Sequence, residues 1–172
     1  NVDDKKRQMT IRHLLIMTTG LEWNEDYPYS DPRNTAANMQ GVPDWVKFTM
    51  DRPMSKEPGK SFQYNSGATL ILGHLFSKAT GMDIEEYAVR YWFNPLGIDN
   101  FYWKRTPFGL AETQEGLYVS SRDIAKIAYL YLKQGMWKDK SIVPRTWVNV
   151  SITPFVSITD NRSVEYGYSW WL

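Results

Sequence analysis

The sequence contains no cysteine, two histidines and no long apolar run, and each shortage excludes a class of function. Without cysteine the chain forms no disulfide and no cysteine-ligated metal site. No window holds 18 or more consecutive apolar residues, so no membrane span is expected. His13 and His74 both lie beside leucines in helical patterns, which favours structural roles and argues against a Ser-His-Asp triad.

Several familiar motifs are absent as well. The sequence has no G-x-S-x-G nucleophile turn, no glycine-rich phosphate loop and no H-E-x-x-H metal site. A net charge of +1 does not suggest the clustered basic surface that nucleic acids require. The sequence therefore predicts no metal, no organic cofactor and no nucleic-acid partner.

The composition is that of a globular domain with unusually many aromatic residues. Of the 172 residues, 42% are hydrophobic and 23% are charged, so the chain can bury one sizeable core. The 8 Trp and 11 Tyr are consistent with aromatic core packing or with a ligand-stacking surface, and packing is the favoured interpretation.

Apolar periodicity and capping residues predict mainly helices. We expect two long loops, at 21–40 and 103–116, and an extended approach at 62–64. The final residues, 166–172, read as an aromatic strand whose sheet partners are missing or lie elsewhere. The predicted helices are 10–20, 44–50, 68–79 ending at Gly81, one from Asp83 to Pro95, one from Ser120 or Ser121 to Gly135, and a short one at Pro144.

A series of phrases in fixed order carries a family resemblance. The central one is Phe62-Gln63-Tyr64-Asn65-Ser66-Gly67. The ordered set resembles the serine β-lactamases and D-Ala-D-Ala carboxypeptidases, or penicillin-binding proteins, over nearly the whole chain. The other phrases are the Thr10–Leu21 helix, Leu72-Gly73, Ala79-Thr80-Gly81, Phe93-Asn94-Pro95-Leu96-Gly97-Ile98, Gly116–Lys126, Gly135-Met136-Trp137, Ile142-Val143-Pro144 and Tyr166–Trp171.

The resemblance implies roles for three consecutive residues. Members of this family acylate a serine whose proton is taken by a lysine three residues later and shared with a tyrosine. Carried over, Tyr64 is the relay tyrosine and Ser66 its hydrogen-bonding partner, with Asn65 between them. Serine at this position is found in the ester- and amide-hydrolysing relatives. The local alternative makes Tyr64 a buried aromatic and Ser66 the N-cap of the next helix.

Two of the family's motifs are not in the sequence. No serine is followed by lysine three positions later, and no K-T-G, K-S-G or H-x-G occurs. In the family these motifs lie before the Thr10 helix and after the last strand. Residues 1–172 are therefore expected to form a single partial domain, inactive by itself, and the charged start at 1–7 is typical of an internal segment.

The expected fold class is α+β, β-lactamase/transpeptidase-like, with mostly the helical lobe and a remnant of the antiparallel sheet. By analogy the two loops border the cleft, where Trp23, Tyr27 and Tyr29 either contact substrate or hold the loop down. The implied partner is a small-molecule or peptide substrate, an amide, ester or lactam, in the bacterial envelope. An open sheet edge would favour self-association.

Two other classes of function stay open at this stage. The first is a non-catalytic module that keeps the fold and binds peptide or glycan. The second is an unrelated carbohydrate-binding domain, which the helical patterns disfavour because such domains are usually β-sandwiches.

Overall fold

The computed structural model describes residues 4–158 and 163–172. Within these ranges the helices are α1 (Asp4–Arg7), α2 (Ile11–Leu15), α3 (Thr35–Gln40), α4 (Trp45–Asp51), α5 (Ser66–Thr80), α6 (Ile84–Ala88), a π turn (Val89–Phe93), α7 (Asn94–Leu96), α8 (Ser121–Leu132) and α9 (Arg145–Ser151). The strands are β1 (Phe101–Trp103), β2 (Leu117–Val119), β3 (Met136–Trp137), β4 (Lys140–Ser141), β5 (Val156–Ser157) and β6 (Glu165–Tyr166). In the described part of the chain, no helix is long and apolar enough to cross a membrane.

The strands form three separate antiparallel pairs, β1 with β2, β3 with β4, and β5 with β6. Helices and short antiparallel strands thus occur together, which confirms the predicted α+β class. Buried side chains gather in three clusters rather than in one sheet-centred core. Two of these clusters meet on α5, through Ala68 and Ile71 on one side and Leu70 on the other.

Most predicted helices form where their capping residues place them. Asp44 caps α4, Ser120 caps α8 and exchanges bonds with Asp123, and Gly81 ends α5 in the left-handed conformation. The helix expected to close at Pro95 continues to Leu96. A π turn ends two residues before this proline, which lacks the amide hydrogen that a regular α turn needs.

The predicted helix at 10–20 is wrong in its second half. The helix ends at Leu15, and Met17 takes a positive φ of 55°. Beyond that point the backbone bonds to another segment, because Met17 and Thr18 accept hydrogen bonds from Gln63 and Gly59 at 2.8 Å each. These tertiary backbone bonds replace the helical ones, so apolar spacing alone overestimates the length of the helix.

The predicted loop at 21–40 contains a helix, α3, in its last third. Asn34 is fully buried and its side-chain oxygen accepts the Ala37 amide, which caps the helix that begins at Thr35, three residues after Pro32. Met39 and Ala36 of this helix then join the cluster around Trp23.

The C-terminal segment is not the lone strand that we predicted. β6 pairs with β5, and the chain then turns back so that Trp171 bridges Tyr166 on the other side. Ser169, with a φ of 58°, lies in this turn. Because residues 171–172 cover that side of β6, the open edge predicted for the last strand is already occupied.

Candidate functional site

Tyr64 lies in the extended segment that leads from α4 into α5 and runs beside the residues that follow α2. The amide of Gln63 donates to the Met17 carbonyl at 2.8 Å, which fixes the backbone just before it. The half-buried ring of Tyr64 packs against the ring of Trp171, with the ring centroids 5.6 Å apart. This aromatic cluster, completed by Phe62 and Tyr166, holds the ring and leaves part of it accessible.

The residue that caps α5 is Asn65, so the local alternative that made Ser66 the N-cap is wrong. The Asn65 side-chain oxygen accepts the Ala68 amide at 3.1 Å, and Ser66 is the first helical residue. Asn65 is 0% exposed, and its Nδ2 has no hydrogen-bond partner among the described residues. The side-chain oxygen of Asn65 therefore serves helix initiation directly beside Tyr64, while its nitrogen is unpartnered among the described residues.

Replacing Asn65 with alanine is expected to lower the free energy of unfolding by about 1 kcal/mol, because the Ala68 amide then loses its side-chain acceptor and keeps only the backbone carbonyl of residue 65. Urea denaturation measures this change. Asp44→Ala, at the more exposed cap of α4, is the matched control and is expected to cost less. Equal stability of Asn65→Ala and the unmodified chain would contradict the capping role.

Glu25 belongs to the site although the sequence analysis did not select it. Its Oε1 accepts the Ser66 amide at 2.6 Å and also the Trp23 indole N–H, while its Oε2 accepts the Ser66 hydroxyl at 2.8 Å. The bonds of Ser66 therefore go to a carboxylate from the 21–40 segment, 41 residues away in the chain. The only sequence feature that could have identified Glu25 is its closeness to the aromatic Trp23. Glu22 and Asp26 also lie near aromatic residues, so this feature does not distinguish Glu25 from them.

Two predicted loops converge beside Tyr64. Gln40 donates to Glu115 at 3.3 Å, and Thr113 donates to the Thr69 carbonyl of α5 at 2.7 Å. Burial raises the pKa of Tyr64, and the carboxylates of Glu25 and Glu115 raise it further. Tyr64 therefore remains protonated at neutral pH in this environment.

The three aromatic residues predicted to contact substrate lie in different surroundings. Trp23 is 5% exposed and packs among Met39, Trp45 and Leu70 in the core. Tyr27 is half-buried, with the Arg33 guanidinium 3.8 Å from its ring centre.

Tyr29 is the most accessible of the three, at 54% exposed. Burial raises its pKa, as do the nearby charges of Glu115, Glu25 and Glu112 and the neighbouring Tyr64. Of the three, Tyr29 is thus the one that shares the electrostatic surroundings of Tyr64.

The histidines lie outside this cluster. The His13 ring accepts the Thr10 amide at 3.3 Å and completes a capping box at the start of α2, as its helical setting predicted. In residues 4–158 and 163–172, no group of three or more His, Asp or Glu side chains is placed to hold a metal ion.

Solved structures share this arrangement of helices and strand pairs. A candidate 6-aminohexanoate-dimer hydrolase from Bacillus anthracis superposes with a TM-score of 0.81 and 20% identity, over 95% of this chain and 47% of that one. An octameric penicillin-binding protein homologue from Pyrococcus abyssi superposes with a TM-score of 0.71 and 21% identity, over 99% of this chain and 47% of that one. The fold is β-lactamase/transpeptidase-like.

The sequence comparison gives the family. A model described as Beta-lactamase matches residues 2–172, and the chain belongs to that family. A curated relative, the monacolin J acid methylbutanoyltransferase of Aspergillus terreus, is 28% identical over 124 residues, which are 70% of this chain and 30% of that protein. The chain spans about half the length of these solved structures and 30% of the curated relative, and the names of these proteins are those of a hydrolase and an acyltransferase.

Proposed function

We propose that the chain is the tyrosine-bearing part of a serine hydrolase that acts through an acyl-serine intermediate on an amide, ester or lactam. The observation that carries the proposal is the setting of Tyr64. Its ring is half-buried directly before α5, and burial together with the charges of Glu25 and Glu115 raises the pKa of its hydroxyl. A phenol in this place can pass a proton between a nucleophile and a leaving group.

The chemistry requires two partners for Tyr64. A serine hydroxyl attacks the acyl carbon and gives its proton to a lysine amine, and the leaving group receives a proton through the tyrosine. Water then attacks the acyl-serine ester, which releases the acid and restores the serine. Backbone amides would stabilise the oxyanion in both steps.

The negative charges near Tyr64 favour a lysine ammonium group beside it. Burial, and then the charges of Glu25 and Glu115, raise the pKa of Tyr64, which favours the protonated phenol. The same carboxylates attract an ammonium group, and an ammonium beside Tyr64 lowers the pKa of the phenol. The acidic surroundings therefore suit a relay in which lysine and tyrosine share a proton.

The serine and lysine, together with the third motif, would come from sequence outside residues 1–172. The chain alone is then expected to be inactive, while the longer parent polypeptide forms the acyl-enzyme. Substrate would reach Tyr64 past Tyr29, whose ring is exposed, rather than past Trp23, which is packed in the core.

Covalent labelling tests this proposal. The parent polypeptide and the isolated chain are each treated with a fluorescent penicillin and with a fluorophosphonate, and covalent adducts are read by mass. We expect the parent to be labelled by at least one probe and the chain by neither. A parent that reacts with neither probe would instead be a non-catalytic binding module. An adduct on the isolated chain would show that a nucleophile lies within residues 1–172, and would contradict the proposal that the reactive serine lies outside them.

A further inference from the structure

Glu25 has a bonding pattern that the proposed chemistry does not use. Its carboxylate takes three hydrogen bonds, from the Trp23 indole, the Ser66 amide and the Ser66 hydroxyl. Two neighbouring acids of the same segment behave differently, because Glu22 pairs with Arg52 at 3.2 Å and Asp31 with Arg33 at 2.7 Å. Among the described residues, Glu25 forms no salt bridge.

We infer that Glu25 is a positioning residue, whose carboxylate joins the 21–40 segment to the first turn of α5 and so holds the backbone that carries Tyr64. This inference rests on the proposed function, since it assigns a role within the same site.

The first turn of α5 needs an acceptor at this place. A helix leaves its first amides without intrahelical partners, and α5 has 15 residues, so the positive end of its dipole lies here. Asn65 satisfies the Ala68 amide, and Glu25 satisfies the Ser66 amide. A carboxylate at the start of a helix also interacts favourably with the dipole.

The other side of the connection is rigid. Trp23, which donates its indole N–H to Glu25, is 5% exposed and packed in a core cluster with Met39 and Leu70. The carboxylate is therefore attached to a fixed side chain at one end and to Ser66 at the other. Because Gln63 is bonded to Met17 and Ser66 to Glu25, the backbone of Tyr64 is held on both sides.

Two conservative substitutions separate position from charge. In Glu25→Gln the amide oxygen can accept the Trp23 and Ser66 N–H groups, and the amide nitrogen can donate to the Ser66 hydroxyl after it rotates. This variant keeps the three contacts and loses the charge. Glu25→Asp keeps the charge but is shorter by one carbon–carbon bond, about 1.5 Å, so it cannot keep all three contacts.

The first measurement is amide hydrogen exchange of Ser66 in the isolated 172-residue chain. We expect exchange about tenfold faster or more in Glu25→Asp, because a hydrogen bond to a charged acceptor is lost. Glu25→Gln is expected to exchange at nearly the unmodified rate. Glu22→Asp, which shortens a neighbouring acid in the same way, serves as the control and is expected to change nothing at Ser66.

The second measurement is the rate of fluorophosphonate labelling in the parent polypeptide. We expect Glu25→Asp to slow it about 10- to 100-fold, since a displacement of about 1 Å at a reacting group has effects of this size. Glu25→Gln loses the charge that favours the lysine but keeps the contacts, so it is expected to keep more of the rate than Glu25→Asp. The reverse order, with Asp active and Gln impaired, would show that charge and not position matters.

The inference and the proposed function can fail separately. Unchanged Ser66 exchange in Glu25→Asp overturns the positioning role even when the parent is labelled at full rate. A parent that no probe labels removes the proposed function, whereas the exchange rates of Ser66 still decide whether Glu25 holds this backbone. If Glu25→Asp does not fold, Ser66 exchange in Glu25→Gln decides, because fast exchange there contradicts the inferred bonding.

Discussion

Replacing Tyr64 with phenylalanine is expected to slow acylation of the parent polypeptide by about 10²- to 10⁴-fold, the usual contribution of a positioned acid–base group. The substitution removes the hydroxyl and keeps the ring, which packs against Trp171. The fold should therefore persist while proton transfer fails. The measurement is the rate of covalent labelling by a fluorophosphonate, compared at equal concentration with the unmodified parent.

The control for this substitution is Tyr102→Phe. Tyr102 lies on β1, is 64% exposed and is paired with Tyr118, and it is not among the groups that change the pKa of Tyr64. Loss of its hydroxyl is expected to leave the labelling rate unchanged. Thermal denaturation of both variants verifies folding. Labelling of Tyr64→Phe at the unmodified rate, in a folded protein, would remove the relay role from Tyr64.

The pH dependence of this step follows from the charges around Tyr64. Burial, and then the charges of Glu25 and Glu115, raise the pKa of the phenol above its ordinary value, so the protonated form is favoured at neutral pH. A lysine beside it has the opposite effect, because a positive charge stabilises the phenolate. Burial and the two carboxylates thus favour the protonated form of Tyr64, which delivers the proton to the leaving group. The lysine favours the deprotonated form, which accepts a proton.

The sequence predicted the parts of the site that depend on neighbours in the chain. Tyr64 precedes a helix because the apolar run from Ala68 and the polar Asn65 are local signals. The assignment of the cap was less secure, because Asn65 and Ser66 are both good N-cap residues. The structure decides between them through Glu25, which takes the serine hydroxyl and leaves the asparagine to cap.

The contacts across the chain could not be predicted in this way. Glu25 differs from Glu22 and Asp26 in having the buried Trp23 beside it and Ser66 within reach, and both conditions require the folded structure. The end of α2 fails for the same reason. The carbonyls of Met17 and Thr18 accept hydrogen bonds from the amides of Gln63 and Gly59, and no local sequence pattern predicts partners so distant in the chain.

The aromatic residues show a third limit. Composition alone allowed Trp23 and Tyr29 the same role, as substrate contacts or as packing. The structure separates them by burial, since Trp23 is 5% exposed and Tyr29 is 54% exposed. Burying an aromatic side chain is strongly favourable, but a loop has no periodic pattern that predicts which of its rings is buried. Only the packed structure shows which ring lies in the core.

Gly67→Ala is the substitution with the largest expected effect on stability. Gly67 lies in the first turn of α5, where α4 approaches closely. An added Cβ would lie 2.3 Å from Thr49 Oγ1 and 2.5 Å from its Cγ2. Thr49 is 0% exposed and its hydroxyl donates to the Trp45 carbonyl at 2.8 Å, so it has no room to move aside. We expect the free energy of unfolding to fall by about 1–3 kcal/mol, as overpacking in a dense core does.

The same substitution is expected to slow labelling of the parent, because separating α5 from α4 displaces the turn that carries Ser66 and follows Tyr64. Gly81→Ala is the matched control at the other end of α5. Its φ of 69° makes alanine unfavourable, but an added Cβ meets nothing within 4 Å, so stability should fall while the labelling rate is kept.

Combining Gly67→Ala with Thr49→Ala removes the two closest atoms and is expected to restore part of both losses, a coupling that a double-mutant cycle measures. Additive effects of the two substitutions would show that the added methyl group and Thr49 do not meet at this contact, and the crowding between α4 and α5 would not be the cause of either loss.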